Sequence, residues 1–127
     1  MRFARWTFAL AGLIGLAMLV PDYFLERKIG MNTPPEITHP EFFSGFVGIG
    51  IAWQVAFLII ASDPARFHPL MIPAVLEKFA FGAAAVALTI LGRSPAIVAG
   101  FGMFDLALGV LFLIAYSRCG RPVADSP

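Results

Sequence analysis

The stretch WQVAFLIIASDPARFHPLMIPAVLEK, residues 53–78, decides the fold of this chain. It holds the end of one long apolar segment, a polar loop at residues 62–69, and the start of a second apolar segment that carries Glu77 and Lys78. An apolar segment of about 20 residues is long enough to cross a bilayer as a helix. The stretch therefore predicts two antiparallel membrane-spanning helices joined by a short loop, with an acid and a base in the first turns of the second helix.

The composition of the chain also indicates that lipid surrounds it. Of the 127 residues, 59% are hydrophobic and 13% are charged, whereas a soluble domain has about 25% charged residues. The formal net charge of +1 provides no basic surface for nucleic acid. Four spans of about 20 residues would use most of the chain. We therefore expect residues 1–127 to form a single integral membrane domain.

Four membrane spans are predicted, at residues 5–24, 42–61, 72–91 and 96–116. The second contains no charged residue over 20 positions. The first follows Arg2 and Arg5 and is similar to the apolar region of a signal peptide, but no small-residue cleavage pattern follows it, so we expect it to be retained. The predicted fold class is an all-α membrane protein, an antiparallel four-helix transmembrane bundle.

The distribution of basic residues predicts the orientation of the bundle. The side that holds both termini and the loop at residues 62–69 has Arg2, Arg5, Arg66, Arg118 and Arg121. The other side has Arg27, Lys28 and Arg93. Because cytoplasmic loops of membrane proteins carry an excess of lysine and arginine, we expect both termini in the cytoplasm and a multi-pass protein of the plasma (inner) membrane.

Three ionisable residues lie within the predicted spans more than four residues from either end: Glu77, Lys78 and Asp105. A charge at the bilayer centre costs about 2.5–3.5 kcal/mol on insertion scales, so such residues are candidates for function. At about 1.5 Å per residue, Lys78 and Asp105 are offset by roughly 10 Å along adjacent helices, too far for a hydrogen bond unless the lysine is fully extended. Gln54 lies at a depth between them. We therefore predict a polar ladder of Lys78, Gln54 and Asp105 with a functional role. Two alternatives remain open: the three residues form a structural network that fixes the register of the helices, or they do not meet.

Small residues flank two of these ionisable side chains at helical spacing. Gly102 and Gly109 share a face with Asp105, and Gly82 shares a face with Lys78. Small residues mark the faces at which membrane helices approach one another. This spacing predicts that Asp105 and Lys78 point towards neighbouring helices, and the short segment at residues 92–95 predicts that the third and fourth spans are neighbours.

The segment between the first two spans contains the weak candidates for a metal site: Glu36, His39 and Glu41. One histidine and two carboxylates are ligand types that a transition metal accepts. The chain has no phosphate-binding glycine loop, no nucleophile elbow and no Cys/His zinc spacing, and its single cysteine, Cys119, cannot form an intrachain disulfide. We expect no cofactor and no resident metal.

Three segments carry a resemblance to known proteins: ITHPEFFSGF at residues 37–46, AWQ at residues 52–54, and residues 63–78. Over residues 34–116 the chain resembles small bacterial four-span membrane proteins of uncharacterised function. In the number, size and spacing of its spans it is also similar to the DoxX-like group. The resemblance implies a bacterial inner-membrane location and transfers no catalytic residue.

Three functions follow from these observations as alternatives. The first is a non-enzymatic accessory subunit, or a binder of a small apolar or lipid-like ligand within the bundle. The second is a small proton-coupled transporter that acts as an oligomer and uses Asp105. The third is a membrane-embedded enzyme that uses the His39 loop. The expected partners are the lipid bilayer and either a second copy or another membrane protein, and no nucleic acid.

Overall fold

The computed structural model describes residues 2–32 and 37–120. These residues contain α1 (Arg2–Phe24), α2 (Glu26–Asn32), α3 (Pro40–Ser62), α4 (Met71–Ile90) and α5 (Ala96–Cys119), with a 3-10 turn at His68–Leu70 that leads into α4. Four segments are long and apolar enough to cross a membrane, with mean hydropathies of 1.6 to 2.3: α1, α3, α5, and α4 together with its 3-10 turn. The predicted all-α, antiparallel four-helix membrane bundle is confirmed.

The short helix α2 lies between the first two predicted spans, in a polar segment for which no helix is predicted from the sequence. It begins one residue after Leu25 and contains the good helix formers Glu26, Arg27 and Lys28. Pro21 lies inside α1 without ending it. The helical part of this segment therefore extends to Asn32, two residues before the Pro34–Pro35 pair.

The four long helices pack as two antiparallel pairs, α1 with α3 and α4 with α5. A smaller contact joins α1 to α5, whereas α3 and α4 touch little although they follow each other in the chain. The prediction that the third and fourth spans are neighbours is thus confirmed. The loop between α3 and α4 connects the two pairs.

Glycines allow the helices of each pair to approach closely. A Cβ atom added to Gly102 of α5 would lie 2.7 Å from the Cβ of Ala85 and 3.0 Å from the carbonyl oxygen of Gly82, both on α4. In the other pair, a Cβ on Gly12 of α1 would lie 2.8 Å from the carbonyl oxygen of Gln54 on α3. Because lipid supplies no hydrophobic force between helices, such close backbone packing holds membrane helices together.

An aromatic cluster of Phe8, Phe57 and Phe112 joins the two pairs. The rings of Phe8 and Phe112 stack with centroids 4.1 Å apart, and Phe57 meets Phe112 edge-on at 4.9 Å. All three side chains are completely buried, and buried alanines from α1, α3, α4 and α5 surround them. This core lies in the half of the bundle that contains Arg2, the loop at residues 63–70 and Cys119, hereafter the basic end.

The connections between the helices have clear local causes. Gly92 adopts a positive φ of 72° after α4. The amide N–H groups of Gly92 and Arg93 donate to the carbonyls of Thr89 and Leu88, respectively, which is a Schellman motif.

At the basic end, the Nε2 of His68 lies 2.9 Å from the carbonyl oxygen of Tyr116. Since a carbonyl only accepts, this histidine nitrogen carries the hydrogen and donates it. His68 thereby attaches the 3-10 turn to α5.

Candidate functional site: an intramembrane ion cluster and a groove

The structure brings Lys78 of α4 and Asp105 of α5 into direct contact. The Nζ of Lys78 lies 3.3 Å from the Oδ1 of Asp105 and donates a hydrogen bond to it. The side chain of Lys78 is 6% exposed and that of Asp105 is 15% exposed. Both predicted orientations, towards a neighbouring helix, are therefore confirmed.

The predicted axial offset of roughly 10 Å between these two residues was wrong. Lys78 lies twelve residues before the end of α4 at Ile90, and Asp105 lies nine residues after the start of α5 at Ala96. The difference of three residues amounts to about 4.5 Å along the axis. The backbone of Lys78 is opposite Gly109, where an added Cβ would lie 3.3 Å from the Cβ of Lys78. The lysine side chain needs to extend by only about one helical turn to reach Asp105.

Glu77 completes a cluster in which two carboxylates share one ammonium. Its Oε2 lies 3.6 Å from the Nζ of Lys78, too long for a hydrogen bond, and this buried oxygen has no hydrogen-bond partner among the described residues. The Glu77 side chain is 24% exposed. With all three groups ionised, the cluster carries a net charge of −1, which a low-dielectric surrounding makes unfavourable unless a proton or another cation compensates it.

The ring of Phe57 on α3 forms another side of the cluster. The Nζ of Lys78 lies 5.2 Å from the centroid of this ring, within the range at which an aromatic face attracts a cation. Phe57 also belongs to the aromatic cluster at the basic end. The lysine is thus held by α4, α5 and α3 together.

Gln54 does not form the predicted bridge between Lys78 and Asp105. Its Nε2 donates to the carbonyl oxygen of Gly50 at 3.1 Å, one turn back on the same helix. Its Oε1 has no hydrogen-bond partner among the described residues, and a Cβ added to Gly15 of α1 would overlap this amide. Gln54 therefore faces α1, because α3 pairs with α1 and contacts α4 only slightly.

The weak metal candidates are only partly described. The Nδ1 of His39 lies 3.4 Å from the Oε1 of Glu41, and both side chains are about two-thirds exposed. Glu36 lies outside the described residues. Within residues 2–32 and 37–120, no three His, Cys, Asp or Glu side chains cluster closely enough to hold a metal ion.

A groove between α1 and α5, which the sequence reasoning missed, lies on the described part of the chain. It has a volume of about 390 Å³ and is open along one side. Six large apolar side chains line most of it: Trp6, Leu10 and Ile14 from α1, and Phe104, Leu108 and Leu111 from α5. The apolar residues of each helix form a stripe at helical spacing that is visible in the sequence. Such a stripe cannot be distinguished from one that faces lipid, so only the packing of α1 beside α5 reveals the groove.

The groove is polar at the basic end. Arg2 and Thr7 also line it, together with Phe3. The guanidinium carbon of Arg118, on the last turn of α5, lies 4.7 Å from the centroid of the Phe3 ring. One arginine from each helix therefore lies at this end. A second, smaller groove of about 190 Å³ lies on the face of α3 around Trp53.

Comparison of the chain with protein-family models, with curated proteins and with solved structures gives no significant match in any of the three. The resemblance to small four-span proteins is thus supported only by the four membrane-length helices. With these helices the protein contacts the lipid bilayer, and its role has to be argued from its own geometry.

Proposed function

We propose that this protein is a non-enzymatic membrane protein that binds a lipid-like ligand, whose acyl chain lies in the groove between α1 and α5. The observation that carries the proposal is the groove itself, with a volume of about 390 Å³ and a lining that is almost entirely apolar. Small-molecule sites are typically concave, mostly apolar and about 300–1,000 Å³ in volume, with a few polar groups that orient the ligand. Arg2 and Thr7 are such polar groups.

The length of the groove supports an acyl chain as the occupant. On α1 the lining residues extend from Arg2 to Ile14, which corresponds to about 18 Å along the helix axis. One leaflet of a bilayer has a hydrocarbon depth of about 15 Å, half of the usual core. A chain that enters beside Arg2 would therefore reach approximately the middle of the membrane.

We further propose that the basic end faces the cytoplasm of a cell whose plasma membrane holds the protein. Among the described residues, Arg2, Arg5, Arg66 and Arg118 lie at this end, and Arg27, Lys28 and Arg93 at the opposite end. This bias supports the orientation through the positive-inside rule. The mouth of the groove would then lie at the cytoplasmic leaflet.

Retention of phospholipid by the purified protein tests the ligand proposal. The variant Leu108→Trp enlarges a side chain that lines the groove, and Leu113→Trp makes the same change at a position of α5 that is 47% exposed. We expect native mass spectrometry to show bound phospholipid on the wild type and on Leu113→Trp, and much less on Leu108→Trp. Equal retention by both variants would exclude the groove as the binding site.

Proton-coupled transport by an oligomer is the second candidate, and the ion cluster is the observation that favours it. Glu77 and Asp105 share a single ammonium, so one carboxylate has a reason to take up a proton inside the membrane. Vesicles containing the protein and a pH-sensitive dye provide the test. A proton flux that Asp105→Asn abolishes and that Asp22→Asn leaves unchanged would support transport, and the absence of flux with the wild type would exclude it.

A further inference from the structure

The polar end of the groove indicates which class of headgroup the ligand carries. Arg2 lines the groove, and Arg118 lies over the ring of Phe3, which also lines it. Within the described part of the chain, neither guanidinium forms an ion pair with a carboxylate. Arg2 therefore lies at the mouth itself, and Arg118 lies next to it over the ring of Phe3, each without a carboxylate partner among the described residues.

The rest of the basic end does not neutralise these arginines. Asp63 is the single described acid in the loop and helix ends there, and its Oδ1 accepts a hydrogen bond from the backbone N–H of Arg66; Glu77, deeper in the same half, lies 3.6 Å from the Nζ of Lys78. The contact of Arg118 with Phe3 places one cation over an aromatic face, which restricts its position without altering its charge. This end thus carries two positive charges, one of them held over Phe3, next to the apolar groove.

We propose, on the premise that the groove binds an acyl chain, that the ligand is an anionic phospholipid of the surrounding leaflet, with its phosphate between Arg2 and Arg118. A guanidinium presents paired N–H donors in the geometry that a phosphate accepts, so arginine binds phosphate with orientation as well as charge. A zwitterionic phospholipid has the same phosphate and chains, but its ammonium is repelled by the two arginines. The site therefore selects an anionic headgroup over a zwitterionic one.

A non-specific attraction to an anionic leaflet is the alternative explanation, and Arg66 separates the two. Each basic side chain near a membrane surface contributes about 1 kcal/mol of attraction to anionic lipid irrespective of its partners. Arg66 lies at the same end, but its guanidinium carbon is 5.3 Å from the ring of Phe67, which does not line the groove, whereas Arg118 lies over Phe3, which does. If the preference for anionic lipid comes from the leaflet, replacement of Arg66 should reduce it as much as replacement of Arg2. If it comes from the groove site, replacement of Arg66 should leave it unchanged.

The experiment uses the full chain in nanodiscs that contain equal amounts of phosphatidylglycerol and phosphatidylcholine with identical acyl chains. Native mass spectrometry measures the ratio of the two lipids that remain bound to the protein after its release from the nanodisc. We expect the wild type and Arg66→Gln to favour phosphatidylglycerol by at least about tenfold, and the double variant Arg2→Gln, Arg118→Gln to bind both lipids about equally. Arg2→Gln alone, which leaves the contact with Phe3 in place, should reduce the preference by part of this amount.

Other results would overturn the inference, and they differ from those that would overturn the groove. Equal binding of both lipids by the wild type, with loss of both in Leu108→Trp, would refute the headgroup assignment and leave the acyl-chain site in place. An equal loss of preference in Arg66→Gln and Arg2→Gln would assign the selectivity to the leaflet and refute the arginine site. Undiminished binding of both lipids by Leu108→Trp would refute the groove itself.

Discussion

The Nζ of Lys78 lies 3.3 Å from the Oδ1 of Asp105, between two helices that approach closely at Gly82, Gly102 and Gly109. The pair connects α4 to α5 with both side chains largely buried, and Glu77 and the ring of Phe57 complete its surroundings. A contact of this kind both restricts the register of the two helices and concentrates charge inside the membrane. Several consequences of this arrangement can be measured.

Removal of Lys78 should destabilise the bundle more than removal of the Asp105 charge. Lys78→Met leaves two carboxylates without their shared cation, and loss of one partner of a buried ion pair costs about 3–5 kcal/mol. Asp105→Asn leaves Lys78 next to Glu77, so its free-energy cost should be smaller. Unfolding by sodium dodecyl sulfate in mixed micelles measures both, with Lys28→Met on the exposed surface of α2 as a control that should change nothing.

The double variant Lys78→Met, Asp105→Asn should be less destabilised than the sum of the two single changes. Coupling free energies of intramembrane contacts are about 1–2 kcal/mol at most, and residues in direct contact are the ones that couple. Strict additivity in the same unfolding assay would show that the two side chains do not interact in the folded protein.

The α4–α5 interface should reject even one methyl group at Gly102. A Cβ at this position would lie 2.7 Å from the Cβ of Ala85, so Gly102→Ala must push the helices apart. We expect a loss of about 1–3 kcal/mol in the free energy of unfolding, the usual cost of overpacking. Gly100→Ala is the matched control on the same helix, because a Cβ there meets nothing within 4 Å. It should be neutral or stabilising by up to about 1 kcal/mol, since alanine favours a helix over glycine. Equal effects of the two variants would contradict the close approach at Gly102.

Replacement of Gln54 by leucine should leave the ion cluster intact. The buried Oε1 of Gln54 has no described hydrogen-bond partner, and its Nε2 donates to the carbonyl oxygen of Gly50 on the same helix. Leucine removes the unpartnered oxygen together with this one local hydrogen bond, so the two effects oppose each other. The free energy of unfolding should therefore change by no more than about 1 kcal/mol, and the coupling between Lys78 and Asp105 should be unchanged. A loss of that coupling in Gln54→Leu would restore the predicted ladder, in which this residue is the bridge.

Phe112 should contribute far more to stability than a phenylalanine of the same helix that faces lipid. Its ring is fully buried and contacts both Phe8 and Phe57, whereas Phe101 is 44% exposed. Truncation of a buried phenylalanine to alanine costs about 3–5 kcal/mol. Phe112→Ala should show most of this loss in the unfolding assay, and Phe101→Ala much less. Similar losses would mean that the aromatic cluster does not join the two helix pairs.

Much of the architecture could be predicted because it depends on local properties. The absence of charge between residues 42 and 61 is sufficient to predict a membrane span, and the glycines on either side of Asp105 correctly predict that it faces another helix. The Gly92 turn is likewise a local signal. The helix α2 was missed because its seven residues contain no apolar period long enough to indicate a helix.

The candidate site could be predicted only in part. The side chains of Lys78 and Asp105 were identified from their cost in a bilayer, but the register between α4 and α5 was misjudged by about one helical turn. Gln54 was assigned to the wrong neighbour, since glycines lie on more than one face of α3 and allow more than one pairing. The groove could not be predicted at all, because it exists only where stripes from α1 and α5 meet.

Sequence alone determined that this chain forms four apolar helices long enough for a membrane and that charges lie in the interior of two of them, because helix length, hydropathy and charge are properties of consecutive residues. Tertiary structure alone decided that α1 pairs with α3, that Lys78 reaches Asp105 and that an apolar groove with Arg2 at one end forms between α1 and α5. These features depend on which faces of the helices contact each other and on the register of that contact. Close packing selects that arrangement from several that the small-residue faces would permit.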